Sequence, residues 1–190
     1  GLWIPENGFA SLTPPLGPDQ LGSLSTRTTH PWFLAELSRL VGLAGGWGTL
    51  SNPFATHTKG EMFRWLADEI GDESASELLS ATNSCAFTNR RRLGVSATDH
   101  CGTCFGCLVR RASFAASHLA DRSNYVIDAP PNDSAKTQLE KASVLPSIRG
   151  FVARGVRVSD IAAMRLPHGY SAGDARDLCI RGAHELETLT

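Results

Sequence analysis

The sequence has no long apolar run, and its charges nearly cancel. Its apolar runs fall far short of the roughly 18 residues that a transmembrane helix needs, so no membrane partner is expected. No basic start leads into an apolar stretch with a small-residue cleavage site, so a signal peptide is not expected either. A formal net charge of −1 and a pI of about 6.6 provide no global field to attract nucleic acid, which argues against a nucleic-acid partner.

A glycine-rich loop that could bind a nucleotide phosphate is also missing from the 190 residues. The chain alone is therefore not expected to bind ATP tightly. It begins with Gly1 rather than methionine and runs straight into sequence typical of ordered structure, so we expect Gly1 to be a cut end. With 42% hydrophobic residues, the chain can still bury one good core.

The chain has five cysteines, and four of them lie within residues 85–107. Three of these repeat at intervals of three, and glycines between them let the backbone turn tightly: Cys101, Cys104 and Cys107. Cys85 can complete a tetrahedron from across a loop of 15 residues. A closed shell of four thiolates is typical of a structural zinc site, so these four cysteines are predicted to bind Zn²⁺.

Other interpretations of the cysteines remain open at this point. The four could form disulfides or stay free, although three cysteines this close cannot pair among themselves without strain. His100 or His118 replacing one thiolate is the main variant of the metal site. Clustered thiols without a disulfide framework are typical of a reducing cytoplasm, which is the expected location. Cys179 lies on the apolar side of the predicted final helix and is predicted to be a core residue.

Apolar spacing and capping residues predict short strands followed by helices. The strands are expected at Leu2–Ile4, which should be buried, and within residues 49–54. One helix should begin at Pro31 after a cap from Thr29 or His30, with an apolar face that contains Phe33, Leu34, Leu37, Leu40 and Val41. Another should begin after Thr58, whose side chain and that of Glu61 fit a capping box.

Residues 128–134 are rich in proline and short polar side chains, which marks a boundary. After this boundary two or three helices are predicted, the last of them starting near Ser171. We therefore divide the chain into residues 1–127, which contain the metal site, and a helical C-terminal extension of residues 128–190.

Several polar residues are candidates for contact with a ligand. Ser25, Thr26 and Arg27 precede a helix, where they either serve as capping and turn residues or form an anion or substrate site. Lys59 is expected to be exposed in the first turn of its helix, a position that disfavours a cation and hints at a negative partner. Asn7 follows a strand, and open α/β sheets bind ligands beyond the carboxyl ends of their strands.

Arginines accumulate around the cysteines: Arg90, Arg91, Arg92, Arg110 and Arg111. Four thiolates on Zn²⁺ carry a formal charge of −2, which nearby arginines can balance. The alternative is that the arginines contact phosphate. Charge balance is the favoured interpretation for most of them.

The cysteines belong to a longer set of short motifs. The first is Ser84-Cys85 followed by Cys101-Gly102-x-Cys104-x-Gly106-Cys107-x-x-Arg110. It resembles the zinc motif of 7-cyano-7-deazaguanine synthases, the QueC family. Three upstream segments fall where that family has its "PL…TKAE…LAD" sequence: Asn52-Pro53-Phe54, Thr58-Lys59-Gly60-Glu61 and Leu66-Ala67-Asp68. Ile4-Pro5-Glu6-Asn7 falls where the family carries V-P-G-R-N, and the resemblance covers roughly residues 1–120.

The chain also departs from the family pattern. The loop between Cys85 and Cys101 is longer, and the arginine of V-P-G-R-N has no counterpart. The S-G-G-x-D-S nucleotide loop, which lies well before these motifs in the family, is missing. Residues 5–8, residues 25–31 and the helical tail look more like the QueC-like proteins of bacterial antiphage systems, the QatC type.

The resemblance implies an α/β fold, the C-terminal part of a Rossmann-like adenine-nucleotide α-hydrolase (PP-loop) fold with a four-cysteine zinc knot and a helical C-terminal tail. In such enzymes ATP adenylates the carboxylate of 7-carboxy-7-deazaguanine, and ammonia then gives an amide and finally a nitrile. Some defence-linked relatives are thought to join the deazaguanine to a partner protein instead. The implied cofactors are Zn²⁺ and, in the intact protein, ATP.

The implied partners are the deazaguanine substrate, a protein substrate in the defence-linked case, and an N-terminal half or partner subunit. No catalytic residue can be named. The candidate substrate contacts are Asn7, Ser25, Thr26, Arg27 and Lys59. Two other functions are considered, a zinc-ribbon module that binds nucleic acid through its arginines and a purely structural zinc subunit. The slight acidity of the chain argues against the first, and the motif around Thr58 argues against both.

Overall fold

The structure, a computed structural model, describes residues 1–16, 28–46, 48–86, 96, 98–129 and 134–189. Within these ranges the chain is mostly helical, with a small parallel sheet. The helices of the described residues are α1 (Gly8–Ser11), α2 (Pro31–Leu43), α3 (Lys59–Ile70), α4 (Asp72–Ser80), α5 (Phe105–Ala116), α6 (Ser134–Lys141), α7 (Leu145–Arg154), α8 (Val158–Ala162) and α9 (Ala172–Glu187), and Val126–Asp128 form a 3₁₀ turn. None of these helices is both long and apolar enough to cross a membrane.

The sheet consists of two short parallel strands, β1 (Leu2–Trp3) and β2 (Leu50–Ser51). Leu2 lies opposite Leu50 and donates its amide to the carbonyl of Thr49 at 2.8 Å. Both strands were expected, but the predicted burial of β1 is wrong, since Leu2 and Trp3 are 59% and 73% exposed. Among the described residues β1 has a neighbouring strand along one edge only, and no described strand pairs with its other edge.

Helix α2 begins where the sequence predicts. Pro31 occupies its first turn, and Nδ1 of His30 accepts the amide of Trp32 at 3.2 Å, so His30 rather than Thr29 is the cap. The apolar face of the helix is only partly covered, because Leu34 is its one fully buried residue.

Helix α2 also covers the outer edge of β2. The amide of Leu50 donates to Oγ of Ser38 at 3.0 Å, and the Ser38 hydroxyl donates to the carbonyl of Leu50 at 3.4 Å. One serine side chain therefore satisfies both main-chain groups that Leu50 directs away from β1.

The main hydrophobic core joins both predicted segments of the chain. Its buried residues are Phe9, Leu12, Leu16, Leu108, Val109, Ala112, Ile148, Phe151, Ile161, Ala175, Leu178, Cys179, Ala183 and Leu186. The contact between α1 and α9 is so close that a Cβ on Gly182 would lie 2.3 Å from Cδ2 of Phe9. Residues before and after the predicted boundary thus share one core, and the division at residue 127 stays a prediction about the organisation of the sequence.

Helix α3 begins at the predicted capping box. The amide of Thr58 donates to Oε2 of Glu61 at 2.9 Å, and the amide of Glu61 donates to Oγ1 of Thr58 at 3.2 Å. These two bonds satisfy amides that the first turn of a helix leaves without partners. The predicted role of Glu61 as a cap is confirmed.

A carboxylate from α9 reaches the same helix start. Glu185 accepts the amide of Gly60 at 3.1 Å and the hydroxyl of Ser113 at 3.4 Å, and it also accepts the hydroxyl of Thr58. A Cβ on residue 60 would lie 2.5 Å from Oε1 of Glu185, so the space for the carboxylate depends on glycine there. Burial raises the pKa of Glu185, because the charged form loses water, and the donated hydrogen bonds oppose this rise.

We expect Glu185→Ala to destabilise the protein by about 1–3 kcal/mol, because it leaves buried donors at the start of α3 without their acceptor. Urea unfolding measures this change. The control is Asp177→Ala, which removes an exposed carboxylate from the same helix and should change stability by no more than about 0.5 kcal/mol. Equal effects of the two substitutions would contradict the stabilising role of Glu185.

The raised pKa of Glu185 also predicts a pH dependence. A carboxyl group whose pKa is higher in the folded chain keeps its proton longer there, so its contribution is most favourable below the ordinary value of about 4.5. That contribution is lost as pH rises through the folded pKa. The unfolding free energy of the wild type relative to Glu185→Gln should therefore fall as pH rises above about 4.5. Urea unfolding between pH 4 and pH 7, roughly one unit at a time, tests this, and a difference that rises with pH contradicts it.

Candidate metal centre

The structure brings four cysteines together. The sulfur atoms of Cys85, Cys101, Cys104 and Cys107 all lie within 4.8 Å of one another, and those of Cys101 and Cys107 are 3.7 Å apart. Four thiolates bonded to one ion at about 2.3 Å would have sulfur atoms about 3.8 Å apart. The four residues are therefore positioned to hold a metal ion.

The geometry distinguishes disulfides and a histidine ligand from the predicted set of four cysteines. All five cysteines are free thiols, so disulfides are not formed. His100 and His118 lie within the described residues but do not belong to the group of potential ligands, which contains cysteines only. The predicted set of four cysteines is the set that comes together.

The turn after Cys101 directs main-chain amides at its sulfur. The amides of Thr103 and Cys104 donate to Sγ of Cys101 at 3.4 Å and 3.3 Å. Gly102 has a φ of +82°, and a Cβ there would lie 2.3 Å from Cγ2 of Ile127. Glycine is needed at this position both for the backbone angle and for the space. The amides favour a thiolate, since hydrogen bonds to a charged form stabilise it.

The other ligands are fixed by the start of α5. Cys104 is the N-terminal cap of this helix and Cys107 lies in its first turn, where the helix dipole favours negative charge. The segment that carries Cys85 passes directly over this turn, because a Cβ on Gly106 would lie 2.1 Å from the carbonyl oxygen of Ser84. Four thiolate positions are thus set by one helix start and one crossing segment.

The crowding of the thiols separates their pKa values. Hydrogen bonds from Cys104 and Cys107 lower the pKa of Cys101 to about 6, and a hydrogen bond from Cys101 lowers the pKa of Cys85 further. The pKa values of Cys104 and Cys107 are raised, first of all by their hydrogen bonds to Cys101. Cysteines bind a metal ion as thiolates, so binding of an ion to this cluster releases protons.

Lys59 lies next to the cysteine cluster. Its Nζ donates to Oγ of Ser84 at 3.0 Å, and the residue is half-buried. The prediction that Lys59 is exposed is wrong, since its ammonium lies against Ser84, directly before Cys85. Burial lowers the pKa of Lys59, and the negative charge of Glu6 opposes this change.

The residues after the two strands are linked to each other. Asn52 donates its Nδ2 to the carbonyl of Glu6 at 2.6 Å and accepts the amide of Glu6 at 3.3 Å. Asn7 is buried and caps α1, since its Oδ1 accepts the amide of Ala10 at 2.8 Å. Asn7 also donates its Nδ2 to the Glu6 carboxylate at 2.8 Å. Contact of Asn7 with substrate stays a prediction.

The remaining candidate substrate residues, Ser25, Thr26 and Arg27, lie outside the described residues, as do Arg90, Arg91 and Arg92. Sequence reasoning did not identify Glu6 or Ser84 as neighbours of Lys59. The sequence indicates these two residues only by their positions, since Glu6 follows a predicted strand and Ser84 directly precedes a predicted metal ligand.

Arg110 is fully buried and holds α5 against the end of α4. It donates to the carbonyl of Leu79 at 2.5 Å, to Oγ1 of Thr82 at 2.8 Å and to Oγ of Ser123 at 2.8 Å. Arg111 pairs with Asp128 at 3.1 Å. Because Arg110 is enclosed, it is not placed to contact phosphate on a nucleic acid.

The geometry predicts about one metal ion per chain, lost on replacement of a ligand. Cys104→Ser should remove the ion and unfold the local region, because binding energy at such a site is folding energy. Elemental analysis and amide hydrogen exchange of α5 measure the two effects.

Cys179→Ala is the matched control for that substitution. Cys179 is buried in the main core and, as predicted, is not part of the ligand group; burial raises its pKa to about 12. Its replacement should keep the metal and cost on the order of 1 kcal/mol. Loss of metal from Cys179→Ala would show that the ligand set is wrong.

Scans of the chain against protein-family models, curated proteins and solved structures give no match.

Proposed function

We propose that the chain is the C-terminal portion of a QueC-like ATP-dependent ligase that acts on a 7-deazaguanine carboxylate. ATP binds to an N-terminal half or partner subunit that carries an S-G-G-x-D-S loop. The product is the amide and nitrile, or a conjugate with a partner protein in antiphage defence. A reducing cytoplasm is the proposed location, since it keeps the four thiols available for metal.

The observation that carries this proposal is the meeting of separate motif segments. Lys59 of the Thr58–Glu61 segment bonds to Ser84 of the cysteine segment at 3.0 Å, although 25 residues separate them. Asn52 bonds to Glu6 at 2.6 Å across 46 residues. Short motifs that match by chance have no reason to meet in space, so these contacts support the resemblance.

The order of the first elements supports the proposed α/β fold. Two parallel strands need a crossover connection, and here α2 lies between β1 and β2 along the chain. Glu6 and Asn52 follow the carboxyl ends of these strands, which is where ligands bind in open α/β sheets. We propose that this strand–helix–strand unit is part of a Rossmann-like PP-loop fold.

Zn²⁺ is the proposed metal, because the donors are four thiolates in a closed set. Cys85, Cys101, Cys104 and Cys107 would hold it, and a bound ion would fasten the Ser84 segment to the start of α5. A filled four-thiolate shell leaves no position for a reacting water, so the ion has a structural role.

The proposed reaction begins when a carboxylate oxygen of the substrate attacks the α-phosphorus of ATP and pyrophosphate leaves. Ammonia or a protein amine then attacks the acyl carbon, AMP leaves with the bonding electron pair, and a proton is lost from nitrogen, which gives the amide or the conjugate. For the nitrile, the amide oxygen attacks the α-phosphorus of a second ATP and pyrophosphate leaves; AMP then departs with that oxygen while nitrogen loses its two remaining protons. The role of this chain is to bind and orient the carboxylate and to exclude water from the acyl adenylate. Lys59 is the described residue best suited to attract the carboxylate, and Arg27 is the proposed second cation.

This function predicts different behaviour for the isolated and the joined chain. Alone, the chain should not bind ATP tightly; joined to its nucleotide-binding half, it should adenylate a 7-deazaguanine carboxylate. Tight ATP binding by the isolated chain, measured by calorimetry, would contradict the proposal.

In the joined protein, Lys59→Met should slow adenylation at least about tenfold, because a charge that pairs with the substrate carboxylate is lost. Lys141→Met removes an exposed lysine from α6 and serves as the control. Arg27→Ala should likewise impair adenylation more than Cys179→Ala does. Pyrophosphate release measures the step, and equal rates for Lys59→Met and Lys141→Met would remove Lys59 from the site.

A further inference from the structure

The segment that follows β1 runs alongside the segment that follows β2. The amide of Gly8 donates to the carbonyl of His57 at 2.7 Å, and a Cβ on Gly8 would lie 2.1 Å from the carbonyl oxygen of Ala55. Two residues earlier, the amide and the carbonyl of Glu6 both bond to the side chain of Asn52, at 3.3 Å and 2.6 Å. The main chain of Glu6 is therefore fixed beside the segment that leads into α3.

The side chain of Glu6 is held through one of its two oxygens. Oε1 accepts the main-chain amide of Asn7 at 2.9 Å and Nδ2 of Asn7 at 2.8 Å. Asn7 is itself buried, and its Oδ1 is fixed by the bond that caps α1. An ionised carboxylate can accept on both oxygens, but among the described residues Oε2 of Glu6 accepts no hydrogen bond. The residue is half-buried, so this oxygen is held in place and left for a ligand.

Lys59 offers hydrogen-bond donors beside this acceptor. An ammonium has three N–H donors, and within the described part of the chain Nζ of Lys59 bonds to Ser84 alone, at 3.0 Å. The negative charge of Glu6 acts on Lys59, since it opposes the effect of burial on the pKa of the lysine. The two side chains nevertheless form no ion pair with each other in the described structure. A ligand with an anionic end for Lys59 and an N–H group for Glu6 fits this pair.

We propose that Oε2 of Glu6 binds the amine that attacks the acyl adenylate and accepts a proton from it as the new bond forms. This inference rests on the function proposed above, in which Lys59 attracts the substrate carboxylate. Glu6 is then a catalytic residue of the second step, whereas Lys59 acts in the first. The amine is ammonia or the amino group of a partner protein, since both present the same N–H donors to a carboxylate.

The proposed step transfers one proton and no net electrons. The lone pair of the amine nitrogen forms the bond to the acyl carbon, and the bond from that carbon to AMP breaks with its electron pair on the phosphate oxygen. The nitrogen becomes positively charged as it attacks, so its N–H groups become acidic enough for a carboxylate to take one proton. Glu6 later releases this proton to water, and the product is the amide or the conjugate.

The ring of the substrate is the other source of N–H donors for Glu6. A deazaguanine carries these donors on its six-membered ring, away from the carboxyl group on the five-membered ring. A ligand group at Glu6 would instead lie beside the carboxylate at Lys59, because the charge of Glu6 acts on Lys59. An amine must lie next to the acyl carbon before it attacks. The positions of the two side chains therefore favour the amine over the ring.

The test compares the two steps in Glu6→Gln of the joined protein. Glutamine keeps a side-chain oxygen for the two bonds from Asn7 but is not a base. Pyrophosphate release without amine measures adenylation, which should change by no more than about threefold because Lys59 is retained. Amide formation from a chemically prepared acyl adenylate and ammonium measures the second step. It should fall on the order of a hundredfold, the usual loss when a general base is removed.

Two further variants separate the chemistry from folding. Glu69→Gln removes an exposed carboxylate from α3 and should leave both rates unchanged. Glu6→Ala should regain part of its amide formation when formate is added, because a small carboxylate can replace the missing base. A loss caused by misfolding would not be restored in this way.

Several results would overturn the role of Glu6. These are unchanged amide formation in Glu6→Gln, an equal loss in both steps, or a raised KM for the deazaguanine acid with normal amide formation, which would place the ring at Glu6. A wild type that releases no pyrophosphate would instead contradict the proposed function. The supplied acyl adenylate still decides the role of Glu6 in that case, because it bypasses the first step.

Discussion

The close approach of four cysteine sulfur atoms is the constraint on which this structure most depends. They lie within 4.8 Å of one another, where thiolate charges would repel without a cation between them. The cluster joins a segment that crosses the start of α5 to the turn that precedes it. Helix α5 then carries this arrangement into the rest of the molecule, because Arg110 ties it to the end of α4 and Ser113 contacts Glu185 of α9. A cation at the cluster would therefore stabilise contacts well beyond its four ligands.

Lys59 connects the cysteine cluster to the proposed substrate site. Its position is set from two directions, by Ser84 beside the cysteine cluster and by Glu185, which holds the neighbouring Gly60 from the far end of the chain. The half-buried ammonium is disfavoured by desolvation and compensated in part by Glu6. An anionic ligand would complete this compensation, so the same interactions that fix the fold also favour a carboxylate at the proposed site.

Local signals in the sequence predicted local structure. The spacing of Cys101, Cys104 and Cys107 and the capping box of Thr58 and Glu61 act over a few residues, and both predicted sets are found. The burial of Lys59 and the role of Glu185 could not be predicted in this way, since their contacts span 25 and 125 residues. The burial expected for β1 failed for a related reason: apolar composition predicts a covered strand only when the covering elements are present.

Buried contacts are unevenly distributed among the described residues. The C-terminal helices share the main core with α1 and α5, and α9 reaches the start of α3. At the opposite end, β1 depends on a few main-chain hydrogen bonds and leaves Leu2 and Trp3 exposed. Regions with few buried contacts open most readily, so we expect β1 to be the least stable of the described elements.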